Sequence, residues 1–322
     1  MTRLARLAIG LAIIACGALP RESIAQSYPT KPVQIIVPFA AGGVADITAR
    51  IVAQKLSERL GQQFVVENKP GAGGIVAAQT VMQAKPDGYT LLLVSNGTAV
   101  SVSLFKSLPF DPVKDFAPVS TLGFFSLAIV TRNDSKIASL KDFVVAGKSA
   151  NLNVATINVG STQHLAAELF KSTAGIDFTV VPYKSSPDVV KAVTQRDVQV
   201  AFEILSPLLP QIKSGALRPL AVTSERRFAG LPSVPTVIES GFPSYSVSSW
   251  NGIAAPVGTP SAIIERLNRE INAVVAMPDV KQKLLELGVD ARAGSPDALK
   301  QLLVGEIERW KTVVERARIE KQ

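Results

Sequence analysis

Short apolar runs alternate along this chain with segments whose apolar positions recur every three or four residues. That is the order expected of parallel strands wrapped by helices. Val33 to Val37 is the first run, and it passes through Pro38-Phe39-Ala40-Ala41-Gly42-Gly43 into a helix expected from Ile47 to Leu60, with apolar positions at Ile47, Ile51, Val52 and Leu56 and Gly61 as its stop. Phe64 to Glu67 reads as a second strand, followed by Asn68-Lys69-Pro70-Gly71-Ala72-Gly73-Gly74 and a helix over Ile75 to Ala84. Tyr89 to Val94 is a third, nearly continuous apolar strand, and Ser95-Asn96-Gly97-Thr98 reads as its loop. Open parallel sheets bind ligands beyond the carboxyl ends of their strands, so the three loops converge on one predicted site.

Phe116 to Arg132 is long and apolar and is read as a crossing between domains. A second alternating unit follows. Asn153 to Ile157 is a strand, Asn158 to Gln163 a polar turn, and a helix opens at His164 and runs to Lys171, with Ser161 or Thr162 as its N-cap. Phe178 to Pro182 is the next strand, leading through Tyr183-Lys184-Ser185-Ser186-Pro187-Asp188 to a helix over Val189 to Thr194. Val198 to Phe202 ends at Glu203, a helix around Leu208 to Lys213 stops at Gly215, and Arg218 to Thr223 carries the chain back. A loop at Ser248 to Gly252 and helices at Ile263 to Ala276, Val280 to Leu287 and Pro296 to Arg318 then complete the first domain. The expected division is residues 26–127 with 223–322, and residues 128–222.

The N-terminus changes the picture. Arg3 and Arg6, the apolar run Leu7 to Leu19, and small residues at Ser23 and Ala25 have the layout of a secretory signal peptide, with cleavage expected after Ala25. The alternative is Ile13-Ile14-Ala15-Cys16, which resembles a lipobox and would make Cys16 a lipidated N-terminus. Cleavage after Ala25 removes the single cysteine, and with it disulfides, thiol nucleophiles and thiolate-bound metals. It also removes three Arg and one Glu, so the net charge falls from +8 to +6. No long Lys/Arg run and only four Tyr and two Trp argue against nucleic-acid binding, and a mildly basic surface favours encounter with small anions.

The corner at Phe39, Ala41, Gly42, Gly43 and Asp46 is the leading candidate. Glycines let the backbone turn tightly, and the first helical turn offers unpaired N–H groups and a positive dipole end, a setting for a carboxylate or phosphate. The other strand ends add Asn96, Gly97 and Thr98, then Gly160, Ser161, Thr162 and His164, then Tyr183, Lys184 and Glu203. Catalysis is not expected. His164 is the only histidine, no acid to orient it is apparent, Gly-x-Ser-x-Gly is missing, and one histidine makes a poor metal site. Gly71-Ala72-Gly73-Gly74 is not a dinucleotide fingerprint and reads as a second wall of the cleft, so no cofactor is expected. Phe124 and Phe125 read as core or crossover residues.

An ordered set of motifs carries a family resemblance. Tyr28-Pro29-Thr30-Lys31-Pro32, Pro38-Phe39 with Gly42-Gly43, Asp46 and Arg50, Asn68 to Gly74, Pro86-Asp87-Gly88-Tyr89-Thr90 and Leu108-Pro109-Phe110-Asp111-Pro112 follow one another. Gly160-Ser161-Thr162-Gln163-His164-Leu165, Val181-Pro182-Tyr183-Lys184 and Ser249-Trp250-Asn251-Gly252 with Ala255-Pro256 and Gly258-Thr259-Pro260 complete it. The chain resembles the substrate-binding proteins of tripartite tricarboxylate transporters, the Bug family. The resemblance implies an α/β, two-domain periplasmic binding fold (type II), with a mixed, mainly parallel sheet in each domain and two crossovers. It also implies a periplasmic monomer that closes on a small carboxylate and serves membrane transporter subunits, or acts as a sensor. Helix N-termini near Gly43 and Thr162 are expected to face each other across the cleft. Two departures bear on the ligand: Phe202-Glu203-Ile204 stands where the family often has Phe-Asp-Asn, and Ser185 where it has glycine. Glu203 in the cleft would repel a distal carboxylate and suit an amino or hydroxyl group, unless it pairs with Lys184 or faces solvent.

Overall fold

The computed structural model describes residues 28–149 and 151–322; the expected signal peptide and Cys16 lie outside the described residues. Among them are ten strands and ten helices. The first half runs β1 (Val33–Val37), α1 (Val44–Leu60), β2 (Phe64–Asn68), a 3-10 turn (Ala72–Gly74), α2 (Ile75–Met82), β3 (Thr90–Ser95) and α3 (Asn96–Leu104). After β4 (Phe116–Arg132) come α4 (Leu140–Ser149), β5 (Asn153–Ile157), α5 (Thr162–Ala174), β6 (Thr179–Tyr183), α6 (Ser186–Thr194), β7 (Val200–Ile204), α7 (Leu205–Lys213) and β8 (Leu217–Val222). The chain ends with β9 (Ser248–Pro256), α8 (Ser261–Val275), α9 (Pro278–Glu286), β10 (Val289–Ala291) and α10 (Pro296–Arg316).

The strands form one mixed sheet in the order β2-β1-β3-β9-β4-β7-β5-β6, with β8 and β10 also paired to β4. β4 joins the halves because its two ends serve different partners. Phe116 to Ser126 pair with β9, and Leu127 to Thr131 pair with β7. A second connection runs beside it at the buried Thr223, whose N–H donates to Leu127 O at 2.9 Å and whose carbonyl accepts from Val247 N at 2.7 Å. The long apolar run is thus the crossover strand, and the chain passes between the halves twice.

Strands buried on both faces explain the continuous apolar runs. Ile36, Leu92 and Val94 enter one core cluster, while Ile35, Val37, Leu91 and Leu93 point the other way against Leu267 and Ile271. The first cluster continues into the second half, where Phe143 stacks on Phe170 with centroids 5.6 Å apart and Phe202 and Tyr245 close around them. Ala128, Val130, Leu205 and Leu208 form a third cluster on the opposite face.

Three expectations are corrected. Asn96 to Thr98 do not form a loop: Ser95 caps α3 in a reciprocal capping box with Thr98, so the helix starts directly at the strand end. Ser248 to Gly252 belong to β9, with Trp250 buried in the core. α4, for which the apolar pattern gave no element, packs through Leu140 and Phe143.

Candidate functional site

Helices α1 and α3 begin at the carboxyl ends of β1 and β3, and α5, α6 and α7 at those of β5, β6 and β7. The two sets of strands run antiparallel to each other, so the helix N-termini of the two halves point towards one another and meet where α3 touches α5. Between them lies a cavity of about 410 Å³. Pro38 and Phe39 line it from the first corner, Ser95, Gly97, Thr98 and Ser101 from α3 and its cap, and Asn158, Gly160 and Ser161 from the second half. Gly71, Gly73, Gly74, Val100, Leu104, Phe105, Val159 and Gln322 complete the wall. None of the lining side chains is charged. A ligand there meets hydroxyls, backbone and the positive ends of α3 and α5.

The first corner is held from behind. The Asp46 carboxylate, nearly fully buried, accepts from Gly42 N at 2.9 Å, from Arg50 Nε at 3.0 Å and from Asn68 Nδ2 at 2.9 Å. Asn68 Nδ2 also donates to Phe39 O at 3.0 Å, tying the loop to β2. Burial opposes the charge, yet the bonds from Arg50, Gly42 and Asn68 hold the Asp46 carboxyl below the usual carboxylate range. Gly42 has φ +86°, which favours glycine, whereas Gly43 at φ −76° is an N-cap with ordinary backbone and no side-chain bond. The first-turn donors of α1 therefore have no side-chain acceptor at the cap.

The α3 and α5 ends meet directly. Buried Asn96 donates through Nδ2 to Thr162 Oγ1 at 2.7 Å and accepts at Oδ1 from Trp310 Nε1 at 2.7 Å, so one side chain joins both halves to α10. Gly160 sits at φ +79°, and a Cβ there would stand 2.4 Å from Leu104 Cδ2. Ser161 caps α5 by accepting from His164 N at 3.1 Å and donates to Ile157 O at 3.0 Å. His164 is buried, which lowers its pKa, and its Nδ1 faces Gly160 N at 3.4 Å. It stands as a neutral ring at the helix start.

Glu203 neither faces solvent nor pairs with Lys184. It is fully buried, and Oε1 accepts from Gln163 Nε2 at 2.6 Å and from Ile204 N at 2.7 Å. Oε2 makes no hydrogen bond of proper geometry, although the Ser186 hydroxyl lies close enough to favour its charge. Burial prevails and pushes its pKa up to about 7.

Of the sequence candidates, Phe39, Gly97, Thr98, Gly160 and Ser161 line the cavity. Ala41, Gly42, Gly43, Asp46, Asn96, Thr162, His164, Tyr183, Lys184 and Glu203 lie outside its lining. The helix end meeting Thr162 is that of α3, through Asn96, where the sequence pointed to Gly43. Ser101 and Leu104 were missed together with α3, on which they sit one and two turns after Gly97. Gln322 carries no local signal. It reaches the wall through backbone pairing, Gln322 N to Leu104 O at 2.8 Å and Lys106 N to Gln322 O at 2.9 Å.

Comparison with known proteins agrees with this fold. Residues 48–319 match the model of the TctC family, described as the tripartite tricarboxylate transporter family receptor. The chain is 37% identical to protein BugT of Bordetella pertussis over 318 residues, covering 98% of this chain and 97% of that one. The solved structure of Rpa4515 of R. palustris with adipate is 33% identical, with TM-score 0.79 over 92% of this chain and 100% of that one. MatC of Rhodopseudomonas palustris with bound malate is 32% identical, with TM-score 0.74 over 89% and 100%.

Proposed function

This chain belongs to the TctC family of periplasmic solute-binding receptors, and from that premise we propose that it captures a small organic carboxylate in the strand-end cavity and delivers it to tripartite membrane transporter subunits. The observation that carries the reading is the cavity itself: it has no charged side chain, and two helix N-termini from opposite halves meet at its edge. An anion so placed gains about 0.3–1 kcal/mol from each exposed helix end and up to about 2 kcal/mol where the end is partly buried. Hydroxyls of Ser95 and Thr98, which act only as acceptors within the α3 cap and so keep their hydrogens to donate, orient it together with bridging waters. That relatives hold adipate and malate supports a dicarboxylate.

The halves, 26–127 with 223–322 and 128–222, are the two lobes of this reading, and residues 1–25 are its export signal. A ligand favours the closed arrangement only through contacts that the open one lacks. The Asn96–Thr162 bond and the Leu104–Gly160 contact are such contacts, and an acid between α3 and α5 adds to them. The test is a thermal-shift screen of refolded, ligand-free protein against carboxylates, amino acids and neutral analogues. Binding at about 100 times Kd stabilises by roughly 2.7 kcal/mol. Shifts with dicarboxylates alone support the reading; shifts only with neutral or cationic compounds overturn it.

A further inference from the structure

A second cavity, about 580 Å³, lies where the chain crosses between the two halves. Its floor is Phe124 and Ser126 of β4 with Ser248 and Trp250 of β9. One wall is α9 and β10, which belong to the first half because β10 pairs with β4 at Gly123 to Phe125. The facing wall is Ser224 to Ala229, which follows β8 and packs on the second half through Phe228. Unlike the strand-end cavity, this one is strongly charged: five cationic side chains line it against three carboxylates.

The pairings leave the positive charge in excess. Asp290 is bound to Arg292 at 2.6 Å, Glu306 to Arg309 at 3.2 Å, and Arg227 turns to Glu239 at 2.8 Å. Arg226 and Lys281, on opposite walls and both exposed, make no ion pair among the described residues, and nor does the exposed Glu225, so two free cations stand against one free carboxylate. The Arg292 guanidinium lies 4.5 Å from the centre of the Phe124 ring, making one side an aromatic surface capped by a cation. Trp250 is 1% exposed, and its indole N–H is buried without an acceptor, a state that native structures rarely leave unexplained.

We propose that this crossover cavity is a second ligand site, for a small anion with an aromatic or aliphatic body. The body rests on Phe124, Phe228 and Leu285, and the acid group lies between Arg226 and Lys281. The inference uses none of the residues of the strand-end cavity and stands independently of the transport reading. Because one wall packs on the second half through Phe228 and the other on the first through β10, an occupant bridges them and favours the arrangement in which the walls stand at this distance.

The probe is anilinonaphthalene sulfonate, an aromatic anion whose fluorescence reports apolar contact and accepts energy from tryptophan. The expected result with the mature chain is one saturable phase with energy transfer. The double variant Arg226→Glu/Lys281→Glu, at exposed positions that the core does not use, weakens binding about tenfold through lost attraction and new repulsion. Trp250→Phe keeps a ring on the floor, removes the donor and cuts the transfer. Undiminished binding by the double variant, transfer unchanged in Trp250→Phe, or no saturable phase with the parent chain would overturn the proposal.

Discussion

The corners after β1 and β5 look alike in sequence, each a strand that turns through glycine into a helix, yet they are built for different loads. Gly42 needs only its positive φ: a Cβ there would meet nothing within 4 Å, and the corner is held by the Asp46, Arg50 and Asn68 network behind it. Gly160 needs both its positive φ and its missing side chain, because Leu104 of the other half occupies the space. The first corner is a tethered rim and the second is a packed joint. The joint is therefore expected to carry stability, and the rim to carry ligand affinity.

The largest effect should come from Asn96→Ala, which strands Trp310 Nε1 and Thr162 Oγ1 in the interior. A loss of about 2–4 kcal/mol in urea unfolding is expected, since each buried partner left unsatisfied costs about 1–3 kcal/mol. A loss below about 1 kcal/mol would mean that water reaches the joint.

Gly160→Ala should cost about 2–3 kcal/mol, from a disfavoured φ and overpacking on Leu104. Gly42→Ala should cost about 1 kcal/mol, from the φ alone. Equal losses would erase the distinction between the corners, and Leu104→Ala added to Gly160→Ala should relieve the steric share.

The buried Glu203 sharpens the comparison through pH. Its folded pKa, about 7, is raised above the unfolded carboxyl value, so folding binds a proton between the two. Stability from this group is full below about pH 4.5, declines as pH rises to about 7, and is then constant. Glu203→Gln keeps the acceptor for Gln163 and should therefore stabilise at pH 8, on the order of 1–3 kcal/mol, with the gain vanishing near pH 4. His164 acts in the opposite sense, its lowered pKa reducing stability as pH falls below its ordinary value, but both proteins share it, so it cancels in the difference. A constant difference across the range would remove Glu203 from the titration.

Asp46→Ala should have a small effect on the fold, no more than about 1 kcal/mol, because Arg50 and the Gly42 N–H are exposed enough to find water. Its larger effect should be on affinity, read by calorimetry as a weaker Kd. Unchanged affinity would take the first corner out of the binding reaction.

What was legible in the sequence follows from what repeats locally. Apolar alternation exposed β1, β3, β5 and β7, and the turn chemistry exposed the corners after them. α3 was hidden because Asn96 to Ser103 mixes small polar and β-branched residues, with a hydrophobic pattern too weak to announce a helix; its capping box is what starts it. β9 was hidden because Ser248, Ser249, Asn251 and Gly252 suggest a turn, whereas pairing with β4 and β3 on both sides makes them a strand. The long-range contacts that close the site could not be read at all. Asn96 meets Trp310 across 214 residues, and Gln322 reaches the wall through backbone bonds that no side chain encodes.

The account rests on the strand-end cavity taking a carboxylate, and calorimetric titration of ligand-free protein with adipate and malate tests it most directly, beside Gly97→Val. Gly97 lies in helical backbone, and a Cβ there would stand 3.3 Å from the capping Ser95 Oγ and 4.0 Å from the Phe39 ring. Valine therefore intrudes on the cavity with a small shift of the cap, and urea unfolding of the variant checks that the fold is kept. The account predicts one-site binding in the micromolar range, about −8 kcal/mol, for the parent chain and its loss in the variant. Equal binding by both proteins would contradict it.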